Sequence, residues 1–431
     1  MLYYNINNPV EKVSLFSAVM RSVSENTGLY MPETIPCFPE SFFREMRDNE
    51  LPGIAYQVTR PLMTPDIPDE SIKLITSDAL NFDIPLERLD ENIYVLELFH
   101  GPTYAFKDVG ARFLAGVLGY ITQSLNRKIT VLVATSGDTG GAVANAFAGK
   151  EGIKVVILYP SGRVSRVQEF QLKYAAPNIT AIELEGDFDD CQRLVRTAFA
   201  DRELNEKIIL TSANSINFAR LFPQSVYYFY ALAQMENITS PVVISVPSGN
   251  FGNLTAGLIA SKMGLPVSRF IASTNINNSV PLYLKTGKFV PHPSYHTISN
   301  AMDVGNPGNF QRMLSLFGND YSQIKKALAG YWFTDEQTIE AMHELYEKYS
   351  YIADPHSAVA YLGLKSYMAG TPSTGIFLAT AHPGKFPEEV EKATGVKVTL
   401  PVSDSEPVWK SEHFKAPDDY NFLREFLCST F

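Results

Sequence analysis

Short apolar runs recur along the chain from about residue 90, and most give way to a stretch with helical spacing. NIYVLELF (92–99) precedes FKDVGARFLAGVLGYITQSL, KITVLVA (128–134) precedes TGGAVANAFAG, and KVVILYP (154–160) stands alone. NITAIELEG gives way to DDCQRLVRTAFAD, KIILTSA to NFARLFPQSVYYFYALAQM, and PVVISVP to LTAGLIASKMG, with RFIASTN and GIFLAT following. Continuous β-rich runs read as strands buried on both faces, and the helices between them as crossovers of a mainly parallel sheet. The expected fold class is α/β. Residues 1–85 have another character: Pro32, Pro36, Pro39, Pro52, Pro61, Pro65 and Pro68 punctuate short helical patterns, which predicts a small, loop-rich unit packed on a larger body.

The length of 431 residues exceeds what one hydrophobic core usually supports, so the body itself should divide. With 45% hydrophobic and 19% charged residues, the chain has enough apolar material for a sizeable interior. Its formal charge of −10 disfavours a nucleic-acid backbone or an anionic membrane as partner, so any anion must be held locally. The start MLYYNINNPVEKV lacks a basic segment followed by an apolar core, and no apolar run is long enough for a membrane span. Cys37, Cys191 and Cys428 are scattered, with no His or Cys at metal spacing. The expectation is a cytoplasmic protein with reduced thiols and no metal site.

In parallel α/β sheets ligands collect at the carboxyl ends of strands. Three loops expected there share an unusual composition: ATSGDTGGA (134–142), TSANSIN (211–217) and VPSGNFGN (246–253). They are built of Gly, Ser, Thr and Asn, and at helix N-termini such loops cradle anions with free N–H groups and the positive end of the helix dipole. One such connection is ordinarily turn chemistry plus a cap, but three in one chain are harder to dismiss that way. Gly137, Gly140 and Gly141 do not fall at G-x-G-x-x-G spacing, and G-x-x-x-x-G-K-[ST] is absent, which disfavours a dinucleotide fingerprint and a P-loop.

Lys107, in HGPTYAFKD (100–108), lies between Phe106 and Asp108 at a strand-to-helix turn. Most lysines are solvated surface residues, and the neighbouring Asp108 is a candidate ion-pair partner. Facing a cleft, desolvation and nearby positive dipoles would lower its pKa and make the amine a nucleophile toward a carbonyl. One such lysine together with anion cradles points to pyridoxal phosphate (PLP), with the lysine holding the aldehyde and a glycine-rich loop the phosphate.

The stretches HGPTYAFKD, ATSGDTG, SANSINFARL, VPSGNFGN, SNAMDVGNP, DPHSAVAY and TAHPGKF stand in the order found in threonine synthases, and the chain resembles that family over nearly its whole length. NNPVEKVSLFSAVMRSVSENTGLYMPE is similar to the N-terminal domain of the family's longer form, found in many bacteria and in fungi. The resemblance implies a fold-type II PLP enzyme: an N-terminal domain over 1–85, then a catalytic region over 86–431 made of two interleaved α/β domains, the smaller roughly 110–220. It makes Lys107 the Schiff-base lysine and catalytic residue, Gly249, Asn250, Phe251, Gly252 and Asn253 the cofactor-phosphate loop, and Thr380 the hydroxyl beside the pyridine nitrogen. Asp138 would stand near the ring hydroxyl, where the shorter form carries Asn; a carboxylate there must share a proton or turn away.

The implied substrate is O-phospho-L-homoserine, converted with water to L-threonine and phosphate. Thr135, Ser136, Thr139, Asn214, Ser215 and Arg220 are the expected substrate-binding residues, the Arg220 fork matching a phosphate unless it is merely a solvated helix residue. His100, His356 and His382 lie near motifs and are read as hydrogen-bonded structural residues, while Asn300 and Asp303 are expected to orient a loop at the cleft. The expected assembly is a monomer or homodimer. Three rivals stand beside this reading: another fold-type II enzyme such as a serine or threonine dehydratase, a nicotinamide-dependent oxidoreductase, and a homologue that binds PLP without turnover.

Overall fold

The computed structural model describes residues 1–23, 28–173, 176–236, 240–401 and 412–429. Residues 24–27 of the N-terminal stretch quoted above lie outside them. The strands are β1 (Leu2–Asn5), β2 (Asn8–Ser14), β3 (Tyr30–Pro32), β4 (Leu86–Asp90), β5 (Ile93–Glu97), β6 (Ile129–Ala134), β7 (Ile153–Pro160), β8 (Ile179–Leu184), β9 (Leu210–Ser212), β10 (Val242–Pro247), β11 (Arg269–Thr274), β12 (Leu328–Trp332), β13 (Thr374–Ala379) and β14 (Glu412–Ala416).

They form three sheets. The order β12-β11-β10-β13-β5-β4 is parallel except for the edge pair β4–β5, and β14-β8-β7-β6-β9 is parallel throughout. The α/β class with mainly parallel sheets therefore holds. Strands β6, β8, β10 and β13 are buried at every residue, as continuous apolar runs covered on both faces must be. The short sheet β2-β1-β3 is antiparallel and, with the helices Leu51–Met63 and Asp69–Ala79, makes up the N-terminal unit.

Three features depart from the sequence pattern. The long helical reading from Asn217 is broken: Phe218–Leu221 passes through a 3-10 turn at Phe222–Gln224 before Ser225–Ala233, because Pro223 has no N–H for a continuous ladder. The run KIILTSA forms a strand only over β9. The five-stranded sheet also takes its edge strand β14 from beyond the range 110–220, so that range does not hold the whole sheet.

The N-terminal unit buttresses a cleft loop. Asn217 Nδ2 donates to the Val19 carbonyl at 2.9 Å and to Ser22 Oγ at 3.0 Å, and Ser22 Oγ accepts the Ser212 amide at 2.9 Å. Phe147, on the last turn of the helix Asp138–Phe147, is wholly buried in the core shared with Phe113 and Leu172. Phe147→Ala is expected to lower the unfolding free energy by about 3–5 kcal/mol, read from urea denaturation.

Candidate active site

Strand β5 delivers the chain to the turn at 100–106, which is laced to the end of β13. Leu98 N–H donates to the Ala379 carbonyl at 2.9 Å, Phe106 N–H to Thr380 at 2.9 Å, and His382 N–H to Tyr104 at 3.0 Å. Tyr227 Oη also donates to the Phe106 carbonyl. These bonds fix where the helix Lys107–Leu125 starts, and Lys107 is its first residue. Asp108 does not pair with Lys107: its carboxylate turns back to accept the Thr103 amide at 2.9 Å and the Thr103 hydroxyl at 2.6 Å.

The Lys107 side chain is only 13% exposed and lines a cavity of about 1350 Å³. Burial pushes its amine down to about 8; Asp138 pulls it back up, while Lys385 and Arg220 push it further down. The amine is thus within reach of its neutral form near physiological pH.

Two sets of backbone amides face this cavity from different loops. After β10 the chain turns through Phe251, held at φ +59°, into the helix Gly252–Lys262. Among the described residues the amides of Gly249, Asn250, Phe251, Gly252 and Asn253 donate to no protein acceptor. A Cβ at Gly249 would meet the Met302 Cα at 2.7 Å and the Ala301 carbonyl oxygen at 2.8 Å, so only glycine lets these backbones approach. Asn250 binds across to Ser215 Oγ at 3.1 Å and accepts from the Gly308 amide. The Asn253 side chain stays within the loop, donating to the Pro247 carbonyl at 2.8 Å and accepting from Ser248 Oγ and Leu254 N–H, so it is a staple and only its amide is available.

The second set lies at the start of the helix Asp138–Phe147 and in the loop after β9. The amides of Ser136, Asp138, Thr139, Ser215 and Ile216 likewise donate to no protein acceptor among the described residues. Thr135 Oγ1 accepts from Gly137 N–H at 2.9 Å and Gly140 N–H at 2.8 Å, so this hydroxyl shapes its own loop. Asn214 Nδ2 ties the two loops together by donating to the Ala134 carbonyl at 2.9 Å.

Arg220 is not a solvated helix residue. It is 3% exposed, donates from Nε to the Ala213 carbonyl at 3.2 Å, and has no carboxylate in ion-pair range among the described residues. Burial pushes it down to about 10, offset in part by Tyr227 and Asp108. Gly110 permits this seat, since a Cβ there would meet Arg220 Nη1 at 2.3 Å. A buried arginine without a counter-ion is costly unless a ligand supplies one.

Asp138 does not stand as a lone charge. Its Oδ1 lies 2.6 Å from Lys385 Nζ and 3.0 Å from Gln168 Nε2, and its Oδ2 3.9 Å from Lys107 Nζ. Burial would raise this carboxyl, yet Lys385 and Lys107 hold it well below the usual carboxylate range. Thr380 lines the cavity with a hydroxyl that makes no hydrogen bond among the described residues.

Sequence reasoning passed over several residues here. Lys385 lay inside TAHPGKF without a role. Arg312, 0% exposed, donates from Nη1 to the Ser215 carbonyl at 2.8 Å and from Nη2 to those of Ile216 at 2.6 Å and Tyr30 at 3.1 Å, fixing the loop after β9. Only contacts across the fold distinguish these two from the other basic residues. His356 Nε2 accepts the Ala301 amide at 3.1 Å while Nδ1 meets Asp354 at 2.6 Å, and Asp303, pushed up to about 7 chiefly by burial, accepts from Thr297 and Asn275. His100 meets Glu97 at 2.7 Å, and His382 Nδ1 accepts the Gly384 amide.

The residues fit PLP. Unpaired amides at a helix N-terminus suit its phosphate, a near-neutral buried amine suits its aldehyde, and Asn300, whose buried Oδ1 has no hydrogen-bond partner among the described residues, lines the same cavity. The family model described as "Pyridoxal-phosphate dependent enzyme" matches residues 73–380. Fold and site together define a PLP-dependent enzyme of fold type II.

Two further family models, "Threonine synthase N terminus" and "Threonine synthase, C-terminal", match residues 2–80 and 357–424. Threonine synthase of Haemophilus influenzae is 45% identical over 402 residues, covering 93% of this chain and 93% of that protein. The crystal structure of threonine synthase from Escherichia coli superposes with a TM-score of 0.93 at 41% identity, covering 100% of both chains. The PLP-bound threonine synthase from Brucella melitensis gives 0.92 at 32% identity, covering 100% of this chain and 99% of that one. The chain belongs to the threonine synthase family.

Gly249→Ala is expected to weaken PLP binding at least about tenfold by forcing residues 249 and 302 apart, measured by titrating the visible absorbance of the bound cofactor. The rate at which the cofactor-free chain takes up PLP is expected to rise with pH and level off above about 8, since the neutral Lys107 amine attacks the aldehyde.

Proposed function

We propose that this chain converts O-phospho-L-homoserine and water to L-threonine and inorganic phosphate. One observation carries the reading: a single cavity holds two separate sets of unpaired amides with a buried lysine amine among its lining residues. The amides of 249–253 serve the cofactor phosphate. Those of Ser136, Thr139 and Ser215, with the hydroxyls of Ser136 and Thr139 and the Arg220 fork, serve the substrate phosphate. Plain serine or threonine would bring only its α-carboxylate to this second set, whereas phosphohomoserine brings a phosphate as well, which gives the buried Arg220 fork an anion to hold.

When bound, PLP supplies an aldehyde that takes the substrate's amine and a ring that delocalises the electrons left when the α-proton departs. The chain's own groups do the rest. Lys107 Nζ, released when substrate amine takes its place and tethered at the helix start, is the base for the α-proton because burial keeps its neutral form accessible. The same amine returns protons later in the sequence. Arg220 and the second amide set stabilise the phosphate as it leaves the γ-carbon and hold it near the β-carbon to which water adds. Thr380, on the cavity wall, would offer the ring nitrogen a neutral hydroxyl and so moderate the electron sink. Asp138, kept ionised by Lys385, would stand on the ring-hydroxyl side.

The same reading divides the chain into an N-terminal unit over 1–85 and a catalytic region over 86–431, with a smaller lobe centred on 110–220 and completed by β14. It places the protein in the cytoplasm as a monomer or homodimer with a small-molecule substrate and no nucleic-acid or membrane partner. No helix among the described residues is long and apolar enough to cross a membrane.

Phosphate release coupled to threonine formation from phosphohomoserine tests the proposal; deamination of threonine without that activity would overturn it. Arg220→Ala is expected to raise KM for phosphohomoserine about 10- to 100-fold while leaving cofactor absorbance in place, measured by steady-state phosphate release.

A further inference from the structure

Lys385 closes the 3-10 turn Pro383–Lys385 that follows β13, and its side chain has no exposed surface. A buried ammonium is retained only with partners arranged around it. Its Nζ lies 2.6 Å from Asp138 Oδ1, donates to the Thr103 carbonyl at 3.0 Å and reaches Gln171 Oε1 at 3.4 Å. Gln168 Nε2 donates to the same Asp138 oxygen at 3.0 Å, and Gln171 Nε2 donates to the same Thr103 carbonyl at 3.3 Å. The carboxylate is therefore clamped through Oδ1 by two donors, leaving Oδ2 for Lys107 at 3.9 Å, beyond hydrogen-bond length.

We propose that Lys385 is a positioning residue for Lys107: by holding Asp138 through Oδ1, it keeps the carboxylate near enough to orient the Lys107 amine and too far to lock it as a tight ammonium pair. The inference rests on Lys107 being the reactive amine. Remove Lys385, and Asp138 has one buried ammonium left to pair with; it closes on Lys107 and keeps that amine protonated. The charged groups acting on Lys107 are Asp138 on its helix, Lys385 on its turn and Arg220 on the helix Phe218–Leu221. Lys385 in turn acts on Asp108 and His382, while Gln168 and Gln171 on the helix Arg166–Lys173 are neutral.

A structural ion pair would affect stability alone, whereas the proposed role moves the titration of a third residue. The test is the pH dependence of acetic anhydride labelling at Lys107 in the full-length chain stripped of cofactor, quantified by mass spectrometry of the Lys107 peptide. Lys385→Met is expected to move the labelling midpoint up by about one pH unit or more. Asp138→Asn is expected to move it down, because Lys385 and Arg220 then act on Lys107 unopposed. The double variant should return most of the way toward wild type, as coupled neighbours do, and Lys385→Arg should stay near wild type. Equal midpoints in wild type and both single variants, or single-variant shifts in the same direction, would overturn the proposal. If Lys385→Met does not fold, Asp138→Asn and the double variant decide: an unchanged or raised midpoint in Asp138→Asn sinks it. Phosphate release by wild-type holoenzyme is measured alongside; its absence counts against the proposed reaction and leaves the labelling comparison standing.

Discussion

Backbone amides without acceptors are the constraint around which this molecule is arranged. A buried N–H that donates to nothing costs free energy, and folded proteins leave few of them. Here five consecutive residues, Gly249 to Asn253, line the cavity at the entrance of one helix with amides that have no protein acceptor among the described residues. The surrounding structure holds them open: Phe251 is kept in the left-handed region, Gly249 is pressed against 301–302, and the Asn253 side chain staples the loop. An arrangement of this kind offers an anion ready-made donors.

The buried charges follow the same logic. Against a chain carrying a net −10, the cavity wall gathers Lys107 and Arg220 near the Asp138 carboxylate, with Lys385 buried behind Asp138 and Arg312 fixing the loop after β9. That local excess of positive charge suits two phosphate groups brought in by cofactor and substrate. The low exposure of these residues makes each interaction stronger than it would be in water and each unpaired group more costly. The N-terminal unit takes part by bracing Ser212 and Asn217 through Ser22 and Val19.

The central strands were readable because burial on both faces writes continuous apolar runs, as in ITVLVA and VVISVP. Edge strands were not: β4, β12 and β14 are partly exposed, β4 and β14 mix polar with apolar positions, and β12 is a short LAGYW interrupted by Gly330. Lys107 stood out through its place between a strand and a helix, and Arg220 through its distance from the loop of Asn214. Lys385 and Arg312 gave no local signal, since what singles them out is contact across 247 residues of chain to Asp138 in one case, 385 minus 138, and with Ser215 and Tyr30 in the other. Thr135 and Asn253 have residue types that suit ligand binding, yet their side chains hold their own loops together, a distinction that only hydrogen-bond geometry makes.

The central claim is that the amine among these cradles belongs to Lys107, with the second buried lysine of the site, Lys385, committed to Asp138. Borohydride reduction of the PLP-loaded protein, followed by digestion and mass spectrometry, measures this directly. The account predicts a pyridoxyl group on Lys107 alone; a pyridoxyl group on Lys385, or on a lysine outside the cavity, would contradict it.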